Sequence, residues 1–275
     1  MEHDTEPEAV QVTYPHPGIT VISLNRPHAR NAVNAATAQK LYDAITAYEQ
    51  DSSAKVAILN GKNGTFCAGF DLKTVNSSDA SSAIRGANVP NLDADERSLG
   101  PMGPSRLQIK KPIIAAVSGY AVAGGLELSL LGDMRVVEED AIFGVFCRRW
   151  GVPLLDGGTV RLRAVVGLGR ALDMILTGRS VDAKEALSMG LANRVVPKGK
   201  ALEEALALAK ELLRFPQVCV NVDRASTYHA CYQAGSLEDA LRFEYTNGIA
   251  AMSEAAVGAD RFSKGAGRGG SFAKL

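Results

Sequence analysis

Between Pro112 and Leu128 the chain reads Pro-Ile-Ile-Ala-Ala-Val-Ser-Gly-Tyr-Ala-Val-Ala-Gly-Gly-Leu-Glu-Leu, and few folds can hold such a run. The apolar, β-branched half up to Gly119 predicts a buried strand. Gly124 and Gly125 then open a leucine-rich segment of helical character. A strand, a tight turn and a helix in that order leave unpaired backbone N–H groups at the helix start. The helix dipole adds partial positive charge there, and glycine lets a ligand oxygen reach the backbone without meeting a Cβ. Glu127 follows Gly124 within the first helical turn. The segment thus predicts half of an anion-stabilising pocket with an ionisable group beside it.

A second turn of the same kind follows another strand. Lys55–Asn60 is a short apolar run, and Gly64-Thr-Phe-Cys-Ala-Gly-Phe-Asp-Leu72 carries glycines into a segment that can begin a helix. Together the two segments resemble a known family. Phe66-Cys-Ala-Gly-Phe-Asp-Leu72 resembles the F-[SC]-A-G-x-D-[LI] element of the crotonase (enoyl-CoA hydratase/isomerase) superfamily. Gly119-Tyr-Ala-Val-Ala-Gly-Gly-Leu-Glu-Leu128 resembles its G-x-[AC]-x-G-G-G-x-E-L element, with Ala123 at the first of the three glycine positions. Leu24-Asn-Arg-Pro-His-Ala-Arg-Asn-Ala-Val-Asn34 is similar to the early L-N-R-P-x-x-x-N-A-[LV] segment of that family. Gly178 to Val196 is similar to its T-G-x-x-x-x-A-x-E-A-x-x-x-G-L-[AV]-x-x-V-V segment. Two specific motifs in the right order identify the chain as a member.

The resemblance implies a ββα-repeat spiral core, with C-terminal helices that pack between subunits in a homotrimer or a dimer of trimers. It implies an acyl-CoA substrate, coenzyme A being part of that substrate, with no separate cofactor and no metal. The backbone N–H groups of Ala68 and Gly124 would face the thioester oxygen, and Glu127 would be the principal acid/base. Ala29, Arg30 and Asn31, together with Gly69, Phe70, Asp71 and Leu72, would lie along the CoA ester. One departure stands out. Hydratases of the family carry a second glutamate three residues after a segment like Ala141-Ile-Phe-Gly144, and here Cys147 occupies that place. A thiol is a weak donor and acceptor, so Cys147 would line the pocket, or act as a nucleophile if Arg148 and Arg149 lowered its pKa. Asp156, just before Gly157-Gly158, is the surrogate carboxylate, since some isomerases of the superfamily place an aspartate there. Capping the helix that follows is the other role open to it. Trp150 is expected to pack. The favoured reading is an enoyl-CoA hydratase, which adds water across a 2-enoyl-CoA. A double-bond isomerase and a non-catalytic CoA-ester binding protein remain as alternatives.

A chain of 275 residues suits one large core, or one core with a small appendage. Thirty basic and thirty acidic residues give no field that would draw in nucleic acid. The four cysteines (67, 147, 219 and 231) lack CxxC or metal-ligand spacing and read as reduced thiols of a cytoplasmic enzyme. No apolar run approaches the roughly 20 residues that span a bilayer, and the acidic, polar start does not read as a signal peptide. Ala273-Lys-Leu275 resembles a variant of the peroxisomal Ser-Lys-Leu address, a three-residue match that is common by chance. Alternation predicts an opening hairpin of Val10–Tyr14 and Ile19–Leu24, and helical periodicity runs from Asn34 to Gln50. Pro112–Ser118 and Met134–Val137 read as strands. Beyond Gly157 the pattern is helical: Thr159–Val166, Arg170–Thr177, Ala183–Ser188, Ala201–Arg214, Val218–Ala234 and Leu237–Met252. Strands alternating with helices, then a helical run, predict an α/β core over 9–196, a helical oligomerisation region over 197–265 and a flexible tail over 266–275. The stretch 76–103, rich in Ser, Asp, Ala, Gly and Pro, reads as a mobile loop with at most a short helix. In the resembling family such a loop borders the acyl pocket.

Overall fold

A computed structural model describes residues 6–74 and 99–265. Most of the 76–103 loop, the 266–275 tail and the C-terminal tripeptide therefore lie outside the described residues.

The strands are β1 (Val10–His16), β2 (Ile19–Leu24), β3 (Val56–Gly61), β4 (Ile113–Val117), β5 (Tyr120–Val122), β6 (Met134–Glu138), β7 (Ile142–Gly144), β8 (Ser180–Asp182) and β9 (Arg194–Val196). One sheet has the order β1-β2-β3-β4-β6-β9, and a smaller one the order β5-β7-β8. β1 and β2 form the antiparallel hairpin expected of their alternation, and the rest of the larger sheet is parallel. Every residue of β2, β3 and β4 is buried. Continuous apolar runs suit parallel strands covered on both faces. α1 (Ala35–Gln50) starts where the Asn34 side chain accepts the Thr37 N–H at 2.9 Å, and it turns Leu41, Ile45 and Tyr48 into the core. The Tyr48 hydroxyl donates to the Pro112 carbonyl at 2.7 Å and so fastens α1 to the entry of β4.

The helices that follow are α2 (Gly124–Ser129), α3 (Gly158–Val166), α4 (Leu168–Thr177), α5 (Ala183–Ser188) and α6 (Ala201–Leu212). The expected strand–turn–helix around Gly119 is corrected in one respect: β5 intervenes between Gly119 and α2 and pairs with β7. Strands of three residues are too short to show a period. The chain clusters into two compact units, Met1–Ala209 and Lys210–Leu275. The first runs past the expected boundary at Val196, because α6 buries Ala201, Ala205, Leu208 and Ala209. The second contains α7 (Gln217–Tyr232), α8 (Leu237–Ile249) and α9 (Met252–Ser263), and none of their residues is buried. α9 was not anticipated, since the helical pattern was expected to end at Met252.

Candidate active site

The two glycine turns meet. The Cys67 N–H donates to the Tyr120 carbonyl at 2.9 Å, and the Val122 N–H to the Cys67 carbonyl at 3.1 Å, which stitches the first turn to β5. α2 starts directly beyond β5. A Cβ on Gly125 would lie 2.0 Å from the Cys67 carbonyl oxygen, so only glycine allows this approach. A Cβ on Gly69 would stand 3.1 Å from the Gly124 nitrogen. Ala123, the N-cap of α2, holds φ +52° and ψ −125°. Glycine takes that conformation freely, whereas an alanine is strained by about 1–3 kcal/mol. The Gly124 N–H, first in the helix, has no acceptor within it. The Ala68 N–H donates to the Arg30 carbonyl at 3.1 Å, and both Arg30 and Asn31 take left-handed conformations to present that carbonyl.

Two carboxylates are buried beside these turns. Glu127 is 2 % exposed and Asp156 3 %. Glu127 Oε1 accepts the N–H groups of Asp156 at 2.9 Å and Gly158 at 2.8 Å. Burial, then the charge of Asp156, pushes the Glu127 carboxyl up to about 8 in spite of those two bonds. Asp156 Oδ1 accepts the Met102 N–H at 2.9 Å and the Ser105 hydroxyl. Burial raises the Asp156 carboxyl as well, against the two hydrogen bonds and the charges of Arg106 and Arg161. Ala68, Gly124, Glu127, Cys147 and Asp156 line one cavity of about 140 Å³, with Phe70 and Leu72 among its apolar walls.

Cys147 is half-buried, and its thiol is raised by burial and then by Glu127, although Arg148 opposes this. Arg148 therefore does not bring the thiol below its ordinary range. Arg148 Nε is spent on the Ile175 carbonyl, and Arg149 lies over the Phe146 ring at 4.3 Å.

Other residues singled out in the sequence do not line the cavity. Asn31 Oδ1 accepts the Arg26 N–H at 2.8 Å, and its Nδ2 donates to the carbonyls of Lys62 at 2.9 Å and Thr65 at 2.6 Å. The Asp71 carboxylate pairs with buried Arg26 at 3.0 Å. Both side chains brace the first turn. Ala29, Arg30 and Gly69 likewise do not line the cavity. Trp150 does line it and is 73 % exposed in the single chain, so it packs into no core of that chain. Pro101 and Met102 close the 76–103 stretch that the resemblance sets beside the acyl pocket, and both line the cavity; sequence reasoning missed Ser105, two residues beyond that stretch, which carries no motif.

Two N–H-bearing turns in contact, beside a pair of buried carboxylates, define a site for stabilising an oxyanion next to acid/base groups. The chain belongs to the enoyl-CoA hydratase/isomerase family, whose model matches residues 15–262. It is 37% identical over 224 residues to the mevalonyl-coenzyme A hydratase of Beauveria bassiana, covering 81% of this chain and 78% of that one. It is also 37% identical over 196 residues to the enoyl-CoA hydratase EchA19 of Mycobacterium tuberculosis, covering 69% of each. The crystal structure of an enoyl-CoA hydratase from Mycobacterium tuberculosis superposes with a TM-score of 0.81 at 33% identity, over 93% of this chain and 96% of that one. Among the described residues no helix is long and apolar enough to cross a membrane, and no group of three or more His, Cys, Asp or Glu residues could hold a metal ion.

Proposed function

We propose that the protein hydrates 2-enoyl-CoA thioesters, with Asp156 in the role that family hydratases give to a second glutamate. The observation that carries the reading is the pairing of Glu127 and Asp156, both buried, both lining the cavity that also holds Ala68 and Gly124. With its carboxyl raised to about 8, Glu127 is protonated at neutral pH and is the acid. Asp156, whose charged form the guanidinium groups of Arg106 and Arg161 favour, is the base. It takes a proton from water as the oxygen adds to C3 of the enoyl group. Negative charge moves to the thioester oxygen, where the Ala68 and Gly124 N–H groups stabilise it. Glu127 then delivers its proton to C2, and the cycle closes when the proton on Asp156 returns to Glu127. Cys147 shapes the wall.

Assembly as a homotrimer or a dimer of trimers belongs to the same proposal. Leu237, Leu241, Tyr245 and Ile249 recur every fourth residue along α8 and are exposed, which supports a face covered by another subunit. So do exposed Leu168, Leu172 and Leu176 on α4. A cytoplasmic location completes the reading.

The test is hydration of crotonyl-CoA, followed as loss of the conjugated enoyl absorbance. Glu127→Gln and Asp156→Asn should each lower turnover by about 10²–10⁴-fold. An Asp156→Asn protein with full turnover would remove Asp156 from the chemistry. A protein that leaves crotonyl-CoA untouched but shifts the double bond of a 3-enoyl-CoA would be an isomerase working through Glu127.

A further inference from the structure

Asp156 lies in a turn outside any regular element, yet a base must hold one orientation. What fixes it comes from a distant part of the chain. Pro104–Arg106 forms a single 3-10 turn in which Ser105 is fully buried. The turn is seated by Gly103, which takes φ +79° and where a Cβ would fall 2.4 Å from the Ala38 carbonyl of α1. Arg161 on α3 staples the turn from the other side. Its guanidinium donates to the carbonyls of Ser105 and Leu107, the latter at 3.0 Å, and reaches the Asp156 carbonyl at 3.4 Å. The hydroxyl held between these anchors donates to Asp156 Oδ1, the oxygen that also accepts the Met102 N–H.

We propose that Ser105 is the positioning residue of the second carboxylate: with the Met102 N–H it occupies Oδ1 and turns Oδ2 to the cavity as the atom that accepts a proton from water. The inference rests on the hydratase reading above. Two donors on one oxygen favour the charged form of Asp156, and one of the two, the Ser105 hydroxyl, comes from a side chain and can be removed without touching the backbone. The charged and titratable groups facing Asp156 are Glu127 from α2, Arg106 from the same 3-10 turn and Arg161 from α3, with Cys67 further off. Ser105 adds no charge. Removing its hydroxyl leaves those groups in place and weakens only the ionised state of the aspartate.

The experiment compares wild type, Ser105→Ala, Ser105→Thr and Asp156→Asn by crotonyl-CoA hydration from about pH 5 to about pH 9. The Asp156 carboxyl is titrated in parallel by carbon-13 NMR, with Asp156→Asn assigning the resonance. Ser105→Ala should lower kcat by about 10- to 100-fold, the range for a hydrogen bond to a charged group, with KM little changed. Its acid limb and the Asp156 midpoint should both move to higher pH, and Ser105→Thr should restore both. An Asp156 midpoint that does not move in Ser105→Ala overturns the proposal, whether or not the protein turns over an enoyl-CoA. Hydration lost in Asp156→Asn but unchanged in rate and pH limb in Ser105→Ala also overturns it, and leaves the hydratase reading standing. Full turnover in Asp156→Asn removes the base itself and takes the proposal with it.

Discussion

Replacing Gly125 with alanine puts a methyl group where the peptide of Cys67 already lies. The added Cβ would stand 2.0 Å from the Cys67 carbonyl oxygen, 2.7 Å from its carbon and 3.0 Å from the Cys67 Cβ, whereas ordinary contact begins at 3.4 Å. The nearest obstacle is backbone, so rotamer changes bring no relief, and one of the two turns must retreat by more than 1 Å. The peptide in the way links Cys67 to Ala68, so the retreat separates the Ala68 N–H from that of Gly124. A misplacement of about 1 Å typically costs about 10²-fold in rate, equivalent to about 2.7 kcal/mol of transition-state stabilisation. Crotonyl-CoA hydration should therefore fall about 100-fold in kcat/KM, alongside a lower melting temperature. Gly124→Ala is the contrast, because its Cβ would meet the Met102 side chain, Sδ at 2.6 Å and Cγ at 2.8 Å, and a buried side chain can shift where a backbone peptide cannot. Its loss should be smaller. Gly169→Ala in α4 is the control: its Cβ meets no described atom within 4 Å, and helix propensity should stabilise it by up to about 1 kcal/mol. A Gly125→Ala protein with wild-type melting and wild-type kcat/KM would show that the contact between the turns does not set the site.

Other outcomes follow from charge and strain. The Glu127 carboxyl sits at about 8 in the native state against an ordinary 4.5, so between those values the unfolded chain has released a proton that the native protein keeps. Its contribution to stability therefore declines as pH rises through that window. Glu127→Gln keeps an oxygen for the Asp156 and Gly158 N–H groups and cannot ionise; its melting temperature should gain on wild type from about pH 5 to about pH 8, and a constant gap would refute the assignment. Ala123→Gly relieves about 1–3 kcal/mol of left-handed strain against a lost methyl of about 0.8 kcal/mol and backbone freedom of about 0.5–1 kcal/mol. Denaturant unfolding should show a change between a loss of about 1 kcal/mol and a gain of about 2 kcal/mol, and a loss beyond about 1 kcal/mol would count against the strain. Cys147→Ser should keep hydration within about threefold, since a thiol raised by burial carries no charge to contribute; a loss of 10²-fold or more would place it in the chemistry.

The parts of the site that were legible are those where a local rule admits one residue type. Gly124, Gly125 and Gly69 announce backbone approach, and Glu127 is placed by its distance from them in one helical turn. That the two turns meet was carried by the resemblance, since no spacing in the chain brings Cys67 beside Gly125. β2 was legible from its alternation and β4 from its apolar run, while β5, β7 and β8 are three residues each and leave no period to read. The setting of Asp156 was not legible. Its partners Met102 and Ser105 stand more than fifty positions earlier in sequence, in a stretch whose composition says only loop. Trp150 was expected to pack because no motif includes it, and only the three-dimensional arrangement puts it at a cavity wall.

The bond from the Ala68 N–H to the Arg30 carbonyl bears on what the pocket prefers to bind. A substrate thioester oxygen that reaches this donor competes with an oxygen of nearly the same kind, so a neutral carbonyl exchanges one acceptor for its equal and gains little affinity. An enolate oxygen carries a full charge and is a much stronger acceptor than a peptide carbonyl. The exchange becomes favourable only as the charge develops. In the proposed hydratase the Arg30 carbonyl would therefore act as a threshold: it would hold down attraction for the resting ester and leave most of the donor's stabilisation for the transition state, the condition under which binding raises kcat rather than merely lowering KM.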